Sequence, residues 1–293
     1  MKISTIFQRK KPTISFEFFP PKKVENEQML FDTVDVLKGY NPDFVSITYG
    51  AGGSTKTKTL EWTIKLQAEY NLNTMMHLTC ISSTQKDIDR IIEVLKDNGV
   101  DNILALRGDR PKDSEVKEGP FKYAYQLVEY LRLKNNFSIG VAGYPEGHPE
   151  APSLQKDIEY LKMKVDAGAD FIITQLFFDN HYFYDFVNRA RQIGIKVPIV
   201  AGIMPAINLT QIERFVAMCG ATVPARLINS LTGKDKQLMY TIGVEYATKQ
   251  CADLLSNGVD GLHFYTLNRY NATKDIMDNL NIKREAPEMG SGA

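Results

Sequence analysis

NILALRGDRP, residues 102–111, is the stretch of this sequence that best indicates the fold. Five residues with the apolar character of a buried strand are followed by an Arg-Gly-Asp turn and a proline. Because ligands bind at the carboxyl ends of the strands in α/β proteins, Arg107 and Asp109 stand where a site would form. The same residues would also suit a solvated surface turn after a core strand. The rest of the chain has to decide between the two interpretations.

The pattern of a short strand followed by a turn recurs along the whole chain. Runs rich in β-branched and aromatic residues are each followed by a longer segment with apolar residues at helical spacing. A capping box is predicted at Thr84 and Asp87, and glycines at 99, 168 and 258 are placed to end helices directly before strands. The eight predicted strands cover residues 14–19, 44–48, 74–79, 102–106, 138–142, 171–175, 197–201 and 261–265.

Eight strand-then-helix units without a break in composition favour one closed architecture. They predict an α/β fold, a single (β/α)₈ TIM barrel over residues 1–282, rather than two domains. An open doubly wound sheet is the alternative. The long interval between strands seven and eight, residues 222–257, predicts an extra helix beside the seventh barrel helix. Residues 283–293 are expected to form a disordered tail.

Composition excludes several classes of function. Lys plus Arg and Asp plus Glu are both 35, so no net charge attracts nucleic acid or an anionic membrane. Three cysteines without a C-x-x-C pair indicate reduced thiols, and the N-terminus lacks the apolar region of a signal peptide. We therefore expect a cytoplasmic protein with no membrane or nucleic-acid partner. The four histidines lack metal-ligand spacing, so no metal site is expected.

Polar residues at the strand ends would meet at one mouth of the predicted barrel. Glu17 stands out among them because it lies between phenylalanines in SFEFFPP, residues 15–21. Burial favours the protonated form of a carboxyl group, so this residue is a candidate proton donor. Alternatively, Glu17 faces outward or pairs with a buried Lys or Arg. The other polar residues of this rim are Thr48, Tyr49, His77, Arg107, Asp109, Tyr144, His148, Gln175, Tyr265 and Arg269.

A glycine-rich turn at residues 50–54 follows the second predicted strand. A Rossmann G-x-G-x-x-G motif would need glycine at position 55, where this chain has Thr55. The turn therefore fails as a dinucleotide fingerprint. It can serve either as a plain tight turn or as a place where backbone approaches a planar ligand.

Eight segments of the chain together resemble the methylenetetrahydrofolate reductase family, in the bacterial form that consists of the catalytic barrel alone. The segments that carry the resemblance are SFEFFPP (15–21), TYGAGGS (48–54), HLTC (77–80), ALRGD (105–109), YPEGHPEA (144–151), KVDAGAD (164–170), TQLFFD (174–179) and HFYTLNR (263–269). The resemblance implies a barrel that holds FAD, accepts a hydride from NADH or NADPH, and reduces 5,10-methylenetetrahydrofolate to 5-methyltetrahydrofolate in a ping-pong scheme.

The resemblance also implies roles for individual residues. Glu17 matches the general acid that aids opening of the folate ring. Asp109 matches a catalytic carboxylate beside the flavin, and the negative charge of this carboxylate disfavours additional negative charge on the flavin. Gln175, Tyr265, Arg269 and Leu209 match substrate-binding positions. The cofactor-binding positions are Thr48, Tyr49, Ala51, His77, Arg107, Gly108, Asp109, Tyr123, Ala124, Tyr144, His148, Ala151, Asp157 and Lys164.

Two departures from the family pattern bear on these expectations. Leu209 replaces a phenylalanine that packs on the nicotinamide or folate in some members, and Met163 replaces a basic residue that helps to hold the cofactor. We expect a homo-oligomer that acts on a reduced nicotinamide and a folate. The alternatives are another flavin-dependent (β/α)₈ enzyme, such as one like proline dehydrogenase, or a non-catalytic folate- or flavin-binding protein.

Overall fold

The computed structural model describes residues 1–21, 23–49, 54–81, 83–109 and 119–282, and in it eight parallel strands close into a barrel in chain order. β1 pairs with both β2 and β8, so the sheet has no open edge and the predicted TIM barrel is confirmed over the open-sheet alternative. The strands are β1 Thr13–Phe18, β2 Phe44–Ile47, β3 Thr74–Thr79, β4 Asn102–Leu106, β5 Ser138–Gly143, β6 Phe171–Thr174, β7 Ile199–Ile203 and β8 Gly261–Tyr265.

Helices surround this barrel and extend the connection between β7 and β8. α10 packs against both α7 and α11 and is therefore the seventh outer helix, which leaves α8 and α9 as additions. Within the described ranges, no helix is both long and apolar enough to cross a membrane. The helices are α1 Ile3–Arg9, α2 Glu27–Lys38, α3 Ser54–Tyr70, α4 Gln85–Asp97, α5 Ala124–Lys134, α6 Leu154–Asp166, α7 Asn180–Gln192, α8 Leu209–Cys219, α9 Ala225–Leu231, α10 Lys236–Ser256 and α11 Tyr270–Asn279, with a 3₁₀ helix at Val24–Asn26.

Most predicted boundaries agree with the structure, and the exceptions have physical reasons. β7 begins two residues later than predicted, because Pro198 has no N–H for the ladder and the N–H of Ile199 donates to Asp260 Oδ2 at 2.8 Å. The capping box of α4 is confirmed by reciprocal hydrogen bonds between Thr84 and Asp87. The predicted tail at 283–293 and the glycine turn at 50–53 lie outside the described residues.

The strand β1 shows how the interior is divided. Ile14, Phe16 and Phe18 pack in the layer between the barrel and its helices, because alternate side chains of a strand point to opposite faces. Ser15 and Glu17 therefore face the inside of the barrel, although all six residues of β1 are buried. The sequence had suggested a carboxyl group enclosed by phenylalanines. The neighbouring phenylalanines of the strand instead lie on the other side of the sheet.

One end of the barrel, at the amino ends of the strands, is filled by apolar side chains and is called the closed end. It is covered by α1, a helix that the sequence did not predict. Ile3 and Phe7 of α1 pack with Phe44 and Phe171, and the rings of Phe7 and Phe171 are 5.5 Å apart. The N–H of Ile3 donates to Asn102 Oδ1 at 2.8 Å. This end is thus occupied by core packing, and the site must form at the opposite, carboxyl ends of the strands.

Candidate active site

Glu17 lies near the inner end of the mouth, between two histidines from different strands. Its Oε2 is 3.5 Å from Nε2 of His77 on β3 and 3.5 Å from Nε2 of His263 on β8. The residue is buried, with 6 % of its surface exposed. Glu17 therefore does not face outward, and no Lys or Arg within the described ranges pairs with it. Its carboxyl group faces the inside of the barrel beside the two imidazole rings.

The histidines are part of a buried polar network that spans four strands, β1, β2, β3 and β8. His263 Nδ1 is 2.8 Å from Ser15 Oγ, and its Nε2 is 3.3 Å from Ser46 Oγ. Ser15, Ser46 and His263 are fully buried. Burial lowers the pKa of His77 to about 4, against the opposing effect of Glu17, so that His77 is neutral at physiological pH. A neutral His77 supplies no positive charge to the Glu17 carboxyl group beside it.

The turn after β4 presents Arg107 and Asp109 at the rim. Gly108 has φ of +85°, and a Cβ at this position would lie 2.8 Å from Ile81 Cγ2, so this turn requires glycine. Arg107 makes a bidentate ion pair with Glu150 from the loop between β5 and α6. Asp109 is exposed to solvent. Arg107 is therefore held at the mouth by a partner from the neighbouring unit and is more than a solvated turn residue.

The loop between β5 and α6, together with α6 itself, brings four more of the predicted residues together. The rings of Tyr144 and His148 meet edge to face, with centroids 4.6 Å apart. The ammonium group of Lys164 donates to Ala142 O at 2.6 Å, and burial lowers its pKa to about 8 although Asp157 opposes the shift. Burial also raises the pKa of Asp157 and lowers that of His148. This side of the mouth thus holds desolvated charged groups of both signs.

The opposite wall is formed by the ends of β6 and β8. Tyr265 donates its hydroxyl to Thr174 O at 2.7 Å, and its ring fits beside Gly202, where a Cβ would lie 2.8 Å from the ring. Burial raises the pKa of Tyr265 well above its ordinary value, and Glu17 adds to the shift. Burial raises the pKa of the Cys219 thiol at the end of α8, and the nearby side chain of Gln175 opposes this shift. Tyr265 therefore lines this wall beside Glu17.

The remaining predicted residues lie farther out on the rim. Thr48 follows β2 and is buried, and Tyr49 comes next. Tyr123 and Ala124 begin α5, where Tyr123 is 56 % exposed, and Ala151 lies in the loop before α6. Leu209 begins α8 and packs on an apolar cluster with Leu176 and Phe178. Arg269 occupies the N-cap position of α11 and is exposed. Met163 is an exposed residue of α6. Ala51 lies outside the described residues.

Three residues at the mouth were missed as site candidates. His263 could have been found, because it is two positions before Tyr265 on β8 and so faces the same way. Glu150 lies inside the quoted segment YPEGHPEA, but its ion pair with Arg107 joins residues 43 positions apart. Cys219, the last residue of α8, lies near Gln175, 44 positions earlier in the chain. No local sequence signal indicates the last two contacts.

The mouth has features that suit a large ligand with an anionic part. Among the described residues, Thr48 Oγ1 and His77 Nε2 are buried polar atoms without a hydrogen-bond partner, and a bound molecule would satisfy them. Arg107 and Lys164 supply cationic groups that suit a diphosphate. The described part of the chain contains no cluster of three or more His, Cys, Asp or Glu residues that could hold a metal ion. The residues present therefore fit a dinucleotide such as FAD.

Comparison with known proteins identifies the family of this chain. Residues 2–281 match the family model described as methylenetetrahydrofolate reductase. The chain is 43 % identical over 301 aligned residues to methylenetetrahydrofolate reductase (NADH) 1 of Arabidopsis thaliana, covering 97 % of this chain and 51 % of that protein. It is 39 % identical to 5,10-methylenetetrahydrofolate reductase of Escherichia coli K12, covering 92 % of this chain and 91 % of that protein.

A solved structure shares the fold at much lower identity. This uncharacterized protein from Clostridium thermocellum, which binds two copies of 5-methyl-5,6,7,8-tetrahydrofolic acid, superposes with a TM-score of 0.63 at 14 % identity, covering 96 % of this chain and 99 % of that one. The chain spans about half the length of the plant and yeast relatives it matches. From the match over residues 2–281 and the identity to these relatives, the chain belongs to the methylenetetrahydrofolate reductase family.

Proposed function

We propose that this protein reduces 5,10-methylenetetrahydrofolate to 5-methyltetrahydrofolate, with FAD as cofactor and a reduced nicotinamide as hydride donor. The observation that carries the proposal is the buried carboxyl group of Glu17, which lies in a polar pocket at the mouth of a barrel of this family. A site that only bound a folate would not need an acid held away from water. Family membership supports the reaction, and the geometry of Glu17 supports its mechanism.

The cofactor would be held by residues from both sides of the mouth. Arg107, Lys164 and His148 suit the diphosphate, and Gly108 permits the turn that places Arg107 and Asp109 at the mouth. When bound, FAD supplies a carrier that takes a hydride from one substrate and gives it to the next. Asp109 is the proposed second catalytic residue, and it keeps a negative charge near the flavin. Thr48 and His77 would pair their unsatisfied polar atoms with the ligand.

Glu17 is the proposed general acid of the folate half-reaction. A proton held on its Oε2 would be donated to the departing nitrogen of the five-membered folate ring, which opens to leave an electrophilic iminium carbon. His263 and His77 lie 3.5 Å from the same oxygen, and the hydrogen bond from His263 orients the carboxyl group. Gln175 is proposed to bind the pterin, and Tyr265 and Arg269 are proposed to lie near the folate and its glutamyl tail. Leu209 is proposed to contact the nicotinamide or the folate.

The finer assignments follow from the relatives. Two plant relatives are named as NADH enzymes, which favours NADH as the donor. The Clostridium thermocellum protein shows that a barrel of this fold can hold 5-methyltetrahydrofolate. We also propose a cytoplasmic homo-oligomer. Family membership disfavours an enzyme like proline dehydrogenase, and the retained Glu17 disfavours a non-catalytic binding protein.

Anaerobic stopped-flow spectroscopy of the purified protein tests the proposal. We expect a yellow protein whose flavin absorbance is bleached by NADH and recovers when methylenetetrahydrofolate is added. NADPH serves as the comparison donor. A protein that binds no flavin would refute the cofactor. A flavin that is reduced but not reoxidised by the folate would refute the acceptor.

A further inference from the structure

The ion pair between Arg107 and Glu150 has an unusual position at the mouth. Arg107 Nη1 is 2.5 Å from Glu150 Oε2, and Nη2 is 2.9 Å from Oε1, so the two groups meet as a two-pronged pair. A guanidinium binds carboxylate and phosphate groups with the same forked geometry. Glu150 thus satisfies the donors of Arg107 in the way that a phosphate group would.

The two partners differ in how far they are exposed to solvent. Arg107 is 22 % exposed, its Nε donates to Gly108 O at 3.2 Å, and the turn that carries it requires glycine at 108. The side chain of Glu150 is 62 % exposed. An incoming phosphate group can therefore approach the pair from solvent and compete with the carboxylate for the donors of Arg107.

Other charged groups show that this is one electrostatic unit. The pKa of His148 is lowered by burial and by Arg107 and Lys164, whereas Glu150 and Asp157 oppose the shift. The N–H of Glu150 also donates to His148 Nδ1 at 3.0 Å. Glu150 therefore belongs to the cationic side of the mouth and neutralises part of its charge.

We propose that Glu150 is an internal substitute for a cofactor phosphate: it occupies the donors of Arg107 in the flavin-free protein and is displaced when FAD enters. The inference rests on the proposed function, because it requires that FAD binds at this mouth. Glu150 therefore competes with the cofactor for Arg107, and its removal favours binding.

Flavin-fluorescence titration of flavin-free protein tests this exchange. Glu150→Gln removes the competing charge, so FAD should bind about two- to fivefold more tightly than to wild type. Glu150→Ala should give at least the same gain. Alanine has neither the charge of glutamate nor the amide group with which glutamine could still contact Arg107. Riboflavin lacks phosphate, so its affinity should not change. Raising the salt concentration should weaken FAD binding more steeply in the variants, because binding then forms an ion pair without breaking one.

Glu146→Gln is the matched control. Glu146 is a carboxylate of the same loop, but it accepts from the N–H of Thr222 at 3.0 Å instead of pairing with Arg107. Glu146→Gln removes the same negative charge as Glu150→Gln and should leave FAD affinity unchanged. In an Arg107→Gln background, Glu150→Gln should lose its effect.

The outcomes separate the two proposals. No FAD binding by any variant would refute the proposed function. FAD binding that is equal in wild type and Glu150→Gln, or weaker in Glu150→Gln, would refute the exchange alone. An equal gain for riboflavin, or an equal gain from Glu146→Gln, would also refute it, because neither involves a phosphate displacing Glu150.

Discussion

The two ends of the barrel interior are built by the same strands but have opposite chemistry. At the closed end, Phe44, Leu104 and Phe171 pack with Ile3 and Phe7 of α1 in an apolar cluster. At the mouth, Nε2 of His77 and Nε2 of His263 each lie 3.5 Å from Oε2 of Glu17. The change from apolar to polar takes only a few residues along each strand.

This difference separates stability from function. At the closed end, apolar side chains are removed from water, and the N–H of Ile3 donates a hydrogen bond to Asn102 Oδ1. These described groups are satisfied without a ligand. The mouth keeps buried polar atoms without partners at Thr48 and His77 among the described residues. Mutations at the two ends should therefore affect different measurements.

The largest expected effect is at the mouth. Glu17→Gln keeps the size and polarity of the side chain but removes the acidic proton, so the folate half-reaction should slow by about 10²- to 10⁴-fold. Reduction of the flavin by NADH should be unchanged, because that step needs no acid. Single-turnover kinetics with each substrate measure the two rates separately. Near-normal reoxidation by methylenetetrahydrofolate would show that Glu17 is not the acid.

A core substitution at the closed end should have the reverse effect. Phe171→Ala removes a fully buried ring that contacts Phe7 and Phe44, and should lower the free energy of unfolding by about 3–5 kcal/mol. Urea denaturation gives this value, and single-turnover rates of the folded protein should stay close to wild type. A slowed chemical step with normal stability would contradict the proposed division between the two ends.

The lowered pKa of His77, a residue of the mouth, predicts that the free energy of unfolding falls as the pH falls. The folded protein keeps this ring neutral down to a pKa of about 4, whereas the unfolded chain binds a proton near pH 6.5. Below pH 6.5 the unfolded state binds more protons, so stability falls as the pH falls. Between pH 7 and 5 the loss should be about 2 kcal/mol.

Urea denaturation of flavin-free protein at both pH values measures this loss. His77→Gln removes the titrating ring, so its stability should fall less over the same interval. Equal losses in wild type and His77→Gln would assign the pH dependence to other groups.

Asp109 should give the smallest effect, because it is an exposed carboxylate at the rim. Asp109→Asn removes one negative charge beside the proposed flavin, worth about 1 kcal/mol in a solvated setting, and should raise the midpoint potential by about 20 mV. Potentiometric titration of the flavin spectrum measures the shift, with Glu146→Gln as a variant of equal charge change. An unchanged midpoint would remove the electrostatic role of Asp109.

Much of the architecture could be predicted because it depends on local patterns. Alternating strand and helix periodicity, the capping box at Thr84 and the glycine at 99 all act within a few residues. The helix α1 was missed because it spans only seven residues, and what it packs against comes from strands far along the chain. The start of β7 was misplaced because its first N–H bonds to Asp260, 61 residues away.

The sequence by itself determined the barrel and the presence of Glu17 in a buried strand, because both follow from periodicity and residue type. Only the tertiary structure decided what Glu17 faces. Strand alternation sends Phe16 and Phe18 outward, and barrel closure brings His77 and His263 to its side from β3 and β8. The pairing of Arg107 with Glu150 was decided in the same way. Contacts between residues far apart in the chain depend on closure of the sheet, which no local pattern encodes.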